Sequence, residues 1–248
     1  MILIKTQEEV EKIRCACRVA AQTLSELGKA VRPGITTLEL DQMGEELILQ
    51  AGAIPAFKGY RGYKYATCIS VNEEVVHGIP GARQLKSGDV VGVDVGAIIE
   101  GYYGDIAASY PVGEIAEETR KLLRCGKEAL ELAIAEASSR KHVGDISHAI
   151  EQRARQDGYA VVRDLFGHGL GRALHEDPLI PNFGNPGEGP ELKAGMVIAI
   201  EPMINRGGSR IVTLPDGWTV ITEDRSRSVH FEHSILITEG KPEILTLL

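Results

Sequence analysis

Apolar residues recur every three or four positions at Val10, Ile13, Cys17, Ala20, Ala21 and Leu24, the spacing of one buried face of an α-helix. Thr6-x-x-Glu9 precedes them as a capping box, and Pro33-Gly34 supplies the stop. A second box, Thr36-x-x-Glu39, opens another helix that Gly52 closes. The pattern then turns to β. Val90–Ile99 and Tyr102–Tyr110 predict a hairpin turning near Glu100-Gly101, which would set Asp94 opposite Ala107 and Asp105 diagonally beside Asp94 on the same face. The order repeats downstream: helices are predicted from Glu117 to about Ala137 and from Asp145 to Asp157, with Gly158 as the stop. β-rich sequence follows, and Pro215-Asp216-Gly217 marks the tip of a further hairpin.

The repetition extends to the residues themselves. Leu85–Asp94 matches Leu192–Glu201 at an offset of 107, with four identities and five conservative pairs, and Asp94 falls on Glu201. At an offset of 106, Glu39-Leu40 matches Asp145-Ile146, and Gln50-Ala51-Gly52 matches Gln156-Asp157-Gly158. A nearly constant offset predicts two ααββ units, about 6–112 and 117–240, folded as one pseudo-symmetric α+β domain over 1–248. A central, mainly antiparallel sheet with helices on one face is expected, with the two acidic pairs brought to its centre from opposite sides. The same offset sets His168 on Arg61 and His175 on Cys68, so the histidines are asymmetric additions to a symmetric scaffold.

Composition narrows the function. Of 248 residues, 43% are hydrophobic and 25% charged, a balance that supports a packed core. A net charge of −8 without a basic stripe argues against a nucleic-acid substrate. No apolar run spans a bilayer or forms a signal peptide, and Cys15, Cys17, Cys68 and Cys125 show neither CxxC nor framework spacing. The expectation is a cytoplasmic chain with reduced thiols and no membrane partner.

The chemistry lies in five residues. Asp94, Asp105, His168, Glu201 and Glu232 each sit in a short β-like segment bordered by Gly, Pro or another His. Four carboxylates and one imidazole suit paired divalent ions such as Mn, Fe(II), Co or Zn. Two such ions about 3.5–4 Å apart can generate a hydroxide near neutral pH. A buried ion pair is the competing reading for an acid flanked as Asp94 is by Val93 and Val95, since an ionised carboxylate there needs a cation or strong donors. His168, in Gly167-His168-Gly169-Leu170-Gly171, also fits an incidental histidine in a glycine-rich turn, and His77 and His175 also fit satisfied core histidines.

The segments Gly167–Arg172, His175-Glu176-Asp177-Pro178, Ile200-Glu201-Pro202-Met203, Phe231-Glu232-His233 and Val71-Asn72-Glu73-x-Val75-x-His77-Gly78-Ile79-Pro80 closely resemble the type I methionine aminopeptidases, in order and spacing, over essentially the whole chain. The resemblance implies the pita-bread fold, ligation of two divalent ions by the five residues above, and bridging of both ions by Asp105 and Glu232. It implies removal of an initiator methionine from nascent chains with a small second residue, a hydroxide between the ions attacking the scissile carbonyl. Glu201 would be the general base, His175 would stabilise the oxyanion, and His77 would contact the leaving nitrogen. A methionine pocket would form from Tyr60, Tyr63, Cys68 and Trp218, whose aromatic edges and thiol suit a thioether. Phe57 and Leu174 line it too, departing from a common bacterial pattern of Cys and Phe at those places. The resemblance implies the short bacterial form without an N-terminal extension, a monomer with nascent polypeptide N-termini as partners and the ribosome as a candidate one. Proline-cleaving peptidases of the same scaffold, a ligand-free binding protein and a two-metal nuclease are the rivals; release of methionine from a Met-Ala-Ser peptide, with and without metal, separates them.

Overall fold

The computed structural model describes residues 2–248. The first half runs α1 (Gln7–Ala30), α2 (Thr37–Gln50), β1 (Ile54–Pro55), β2 (Thr67–Val71), β3 (Glu74–Val76), β4 (Val90–Ile99) and β5 (Tyr102–Pro111). The second runs α3 (Glu117–Glu136), α4 (Val143–Gln156), β6 (Ala160–Val161), β7 (Phe166–Gly169), β8 (Glu176–Pro181), β9 (Val197–Ile200), β10 (Met203–Asn205), β11 (Ile211–Thr213), β12 (Val220–Thr222), β13 (Ser228–His230), β14 (His233–Leu236) and β15 (Glu243–Ile244). Both predicted capping boxes are present: Thr6 accepts from Glu9 N and Thr36 from Glu39 N, and each glutamate reaches back to the cap nitrogen. One boundary moves. The fourth helix starts at Val143, two residues before the expected Asp145, because the Asp145 carboxylate accepts from His142 N at 2.7 Å and so acts from inside the first turn.

All strand pairings are antiparallel. The centre of the fold is a four-stranded ladder of β1, β2, β4 and β5 beside a five-stranded one of β7, β8, β9, β14 and β15. The β4–β5 hairpin turns at Glu100 and Gly101 with φ of 49° and 79°, positive at both positions as a two-residue turn between twisted strands requires. Val91, Val93, Val95 and Ile106 point into a core shared with Leu24, Leu27, Leu40 and Ile48 of α1 and α2. Ile198, Ile200 and Ile235 enter the matching core under α3 and α4. Helix α1 lies so close to β5 that a Cβ on Gly104 would stand 2.3 Å from Cys17 N. No helix among the described residues is long and apolar enough to cross a membrane.

The two ladders join along β5 and β14. Glu232 N donates to Ala107 O at 2.8 Å. On one side of this contact Ser109 Oγ donates to His230 O at 3.0 Å, while His230 N donates to Ser109 Oγ at 2.9 Å. On the other, Ser234 Oγ donates to Asp105 O at 2.7 Å and Asp105 N to Ser234 Oγ at 3.4 Å. These are the same bonds related by a pseudo-twofold axis.

Register then corrects how the halves correspond. With Asp94 set on Glu201, Gly96 falls on Met203; Gly96 pairs with Asp105, and Met203 pairs with His230. His230 is therefore the counterpart of Asp105. Asp94 pairs with Ala107, whereas the registers Ile200–His233 and Met203–His230 on either side of a break in the ladder place Glu201 across from Glu232. Glu232 thus stands where the first half has Ala107. His168 pairs with Ala199 as Ser70 pairs with Gly92, so its counterpart is Ser70 and not Arg61. Arg61 lies in a 3₁₀ turn, Tyr60–Gly62, in a longer connection between helix and strand that shifts the offset. Cys68 is inside β2, while His175 lies in the loop before β8, so these two do not correspond either.

Candidate metal centre

Alternation along the strands aims the carboxylates. Because Val93 and Val95 face the helices, Asp94 between them faces the other way. Asp105 pairs with Gly96 and Asp94 with Ala107, so the two acids are diagonal neighbours on one face, as expected from the hairpin. Glu201 follows β9 with Pro202 behind it, and Glu232 precedes β14; both occupy the break in the second ladder. His168, in the middle of β7, is supplied from the next strand over.

The groups converge. His168 Nε2 lies 3.6 Å from Glu201 Oε1 and 4.0 Å from Asp105 Oδ2. One ligand atom each from Asp105, His168 and Glu232 falls within 4.8 Å of the other two. His168 Nδ1 donates to Gly169 O at 2.9 Å, which leaves the Nε2 lone pair facing the acids. Asp105, His168 and Glu232 are at most 4% exposed. Asp94 Oδ1, Asp105 Oδ1 and Glu232 Oε1 are buried without a hydrogen-bond partner. Burial pushes Asp94 up to about 7. Burial, then the neighbouring carboxylates, pushes Asp105 and Glu232 well above the ordinary range. Glu201 differs: burial raises it, but His230, His168 and His175 outweigh that and hold it below its usual value. Buried acids that must otherwise keep their protons, with oxygens that nothing satisfies, are a donor set for divalent cations. The residues present fit such ions.

His230 was not anticipated. Its Nε2 lies 3.3 Å from Glu201 Oε2 and 4.0 Å from Glu232 Oε2, and although burial lowers it, Glu201 and Asp94 together raise it above its usual value. The only signal in the chain was the alternation His230-Phe231-Glu232, which puts both polar side chains on one face of a strand.

The centre opens into a cavity of about 350 Å³ lined by all thirteen residues singled out from the sequence. Arg61, Asp164, Leu165, Phe166, Leu179 and Met203 also line it and had not been anticipated. Tyr63 is 4% exposed; its hydroxyl donates to Thr67 O and Gly78 O at 3.0 and 3.1 Å, and its ring meets Trp218 edge-on at 4.9 Å. Cys68 pairs with Asp94 across the ladder, and burial, then Asp94, pushes its thiol well up, so it stays uncharged. Phe57 and Leu174 are buried in the same apolar cluster. His175 stands with its ring 4.4 Å from that of His168 and its Nδ1 2.8 Å from the Tyr60 hydroxyl. Burial and then His168 hold it down to about 4, and burial lowers His77 as well. Both imidazoles are therefore neutral near pH 7, and in the His175 tautomer whose Nδ1 accepts from the Tyr60 phenol the ring presents an N–H at Nε2.

The sequence profile of metallopeptidase family M24 matches residues 11–239. The chain belongs to that family. A methionine aminopeptidase of Bacillus subtilis is 50% identical over 99% of both chains. The crystal structure of a methionine aminopeptidase from Thermotoga maritima superposes with a TM-score of 0.98 at 50% identity, covering 100% of each chain. A prolidase from Pyrococcus furiosus shares the fold more distantly, with a TM-score of 0.81 at 27% identity over 99% of this chain and 65% of that one. The protein is thus a metal-dependent hydrolase with the pita-bread fold, and Asp105, His168 and Glu232 form a candidate cluster for the divalent metal that the family uses.

Proposed function

We propose that the enzyme removes the N-terminal methionine from nascent polypeptides whose second residue is small, working with two divalent ions held by Asp94, Asp105, His168, Glu201 and Glu232. The observation that carries this reading is one cavity in which unsatisfied buried carboxylate oxygens sit beside an aromatic and thiol lining. The close kinship with methionine aminopeptidases supports it. Asp105 and Glu232 lie next to each other across the pseudo-twofold axis, a placement suited to bridging. Ions bound there supply Lewis acidity and an activated water.

The chain's own groups do the rest. The methionine side chain fills the space bounded by Tyr60, Tyr63, Cys68, Trp218, Phe57 and Leu174, where a flexible thioether packs against ring edges. Glu201, held ionised by the surrounding histidines, accepts the proton of the attacking water and returns it to the departing amine. His175, neutral and oriented by Tyr60, donates through Nε2 to the oxygen of the tetrahedral intermediate. His77, fixed by a backbone at φ 58°, contacts the leaving nitrogen. The substrates are nascent chain ends in the cytoplasm, and the single copy carries every residue named, which suits a monomer; docking on the ribosome would bring the two together.

A side chain at the second position must pass between His77, His175 and the rim of the centre. An ångström's displacement of the scissile carbonyl costs about 10²-fold in rate. Met-Ala-Ser should therefore be cleaved about 10²-fold faster than Met-Ile-Ser in kcat/KM under one metal condition. Equal rates would refute the size filter, and cleavage before proline irrespective of the first residue would assign the site to a proline peptidase instead.

A further inference from the structure

The loop that carries Leu174 and His175 into the cavity is held from outside by the first residues of the chain. Lys5 and Glu176 form an ion pair whose side chains are only 4% and 9% exposed. The second carboxylate oxygen of Glu176 accepts from Arg172 N at 2.8 Å and Ala173 N at 3.1 Å. One carboxylate, adjacent in sequence to His175, thus gathers both ends of the loop and the lysine. Lys5 is itself fixed, since its backbone N donates to Gly195 O at 2.8 Å. The fit is close: a Cβ on Gly171 would stand 2.6 Å from Lys5 Nζ and 2.8 Å from Glu176 Oε1. A second tie lies alongside, where Glu9 Oε1 accepts from Tyr102 Oη at 3.1 Å and from Arg172 Nε at 3.3 Å, with the Arg172 guanidinium 4.8 Å over the Tyr102 ring.

The loop's stem is anchored to the sheet by Leu170 N on Val197 O at 3.0 Å and Tyr103 N on Gly171 O at 2.9 Å. From Arg172 to His175 the polar ties to the rest of the fold run through Glu176 and Glu9, apart from Tyr60 on the His175 ring, while Leu174 packs in the apolar cluster of the pocket and the His175 ring meets that of His168. Glu176 without Lys5 would be a buried carboxylate lacking its cation, an arrangement that destabilises the loop it holds.

From this we infer that Lys5 is a positioning residue for the peptidase reaction: through Glu176 it sets where His175 stands, although it touches neither substrate nor metal ligands. The inference rests on the proposed role of His175 at the scissile carbonyl. It predicts that removing the cation loosens the 171–176 loop and slows turnover without emptying the centre.

The test compares Lys5→Met and Lys5→Arg with the wild-type holoenzyme. Lys5→Met should lower kcat on Met-Ala-Ser by about 10²-fold, the scale of an ångström's misplacement, with KM and metal content little changed; Lys5→Arg should recover most of the loss. In a His175→Ala background, Lys5→Met should cost almost nothing more, because both changes remove one effect. Amide hydrogen exchange of residues 171–176 should speed up in Lys5→Met while α2 and β4 keep their protection. That measurement needs no activity, so it tests the strap even if wild-type protein releases no methionine. Unchanged exchange in the loop, or a full additional loss in the His175→Ala background, would overturn the inference, as would a uniform rise in exchange over the whole fold.

Discussion

The two halves of the molecule share a backbone and divide the chemistry unequally. Around the pseudo-twofold axis, Ser109 and Ser234 make the same pair of hydrogen bonds, to His230 and Asp105 respectively. Yet where the first half places Asp105 the second places His230, and where the first places Ala107 the second places Glu232. The outcome is electrostatic. Asp94 is pushed up to about 7 by burial, with His230 alone lowering it and Glu201 raising it, whereas its counterpart Glu201, also raised by burial, is ringed by His230, His168 and His175 and held below its usual value. A duplicated scaffold thus keeps one carboxylate ionised, as the proposed proton transfer requires, while its counterpart is raised. The asymmetry comes from substitutions at three register positions, Asp105 against His230, Ala107 against Glu232 and Ser70 against His168, and not from a different fold.

The largest effect should come from exchanging the amide for the acid at the two corresponding positions. Glu201→Gln should lower kcat by about 10²–10⁴-fold even at saturating Mn²⁺, since it removes a proton acceptor. Asp94→Asn should mainly weaken metal retention, so excess metal should restore much of its activity. Steady-state kinetics across a metal titration, with elemental analysis of each protein, read this difference; equal, metal-reversible losses at both sites would break it.

Next in size is a pH effect on stability. Burial raises Asp94, Asp105 and Glu232, so the metal-free fold binds more protons than the unfolded chain and loses stability as pH rises from the ordinary carboxylate range of about 4 through about 7 for Asp94, and onward for the other two. His230 is raised and acts in the same sense. His175 and His233, both held down to about 4 by burial, act oppositely, but their contribution is already complete above the ordinary histidine value near 6.5. Melting of metal-free protein should therefore fall in temperature between about pH 6.5 and 8.5, and the Mn²⁺-induced rise in Tm should grow over the same interval. A flat profile would show that the acids are ionised without metal.

The smallest effect tests the symmetric part. Ser109→Ala and Ser234→Ala each strand backbone groups between the halves, and each should cost about 1–3 kcal/mol. Denaturant unfolding of the two variants should give similar losses; a loss confined to one of them would mean that the axis joins the halves unevenly.

The chain by itself determined the elements and much of the site. Two capping boxes, a 3.6-residue apolar period and a hairpin with Glu100-Gly101 at its turn are local signals, so α1, α2, β4 and β5 and the diagonal pair Asp94 and Asp105 were legible. The thirteen residues proposed for the site came from motifs, most of them by resemblance, and they line one cavity. Register across the axis was not legible. A constant offset matched His168 to Arg61, because sequence comparison counts residues along the chain, whereas strand pairing counts them across the sheet and absorbs the longer connection around Tyr60–Gly62. For the same reason His230 went unnoticed: it becomes the counterpart of Asp105 only when β5 and β14 are side by side. Lys5 and Glu176, separated by 171 positions, are likewise joined only by folding. Local propensity writes elements into sequence, but the partner of a buried charge is chosen by packing at long range, where the cost of leaving that charge alone is highest.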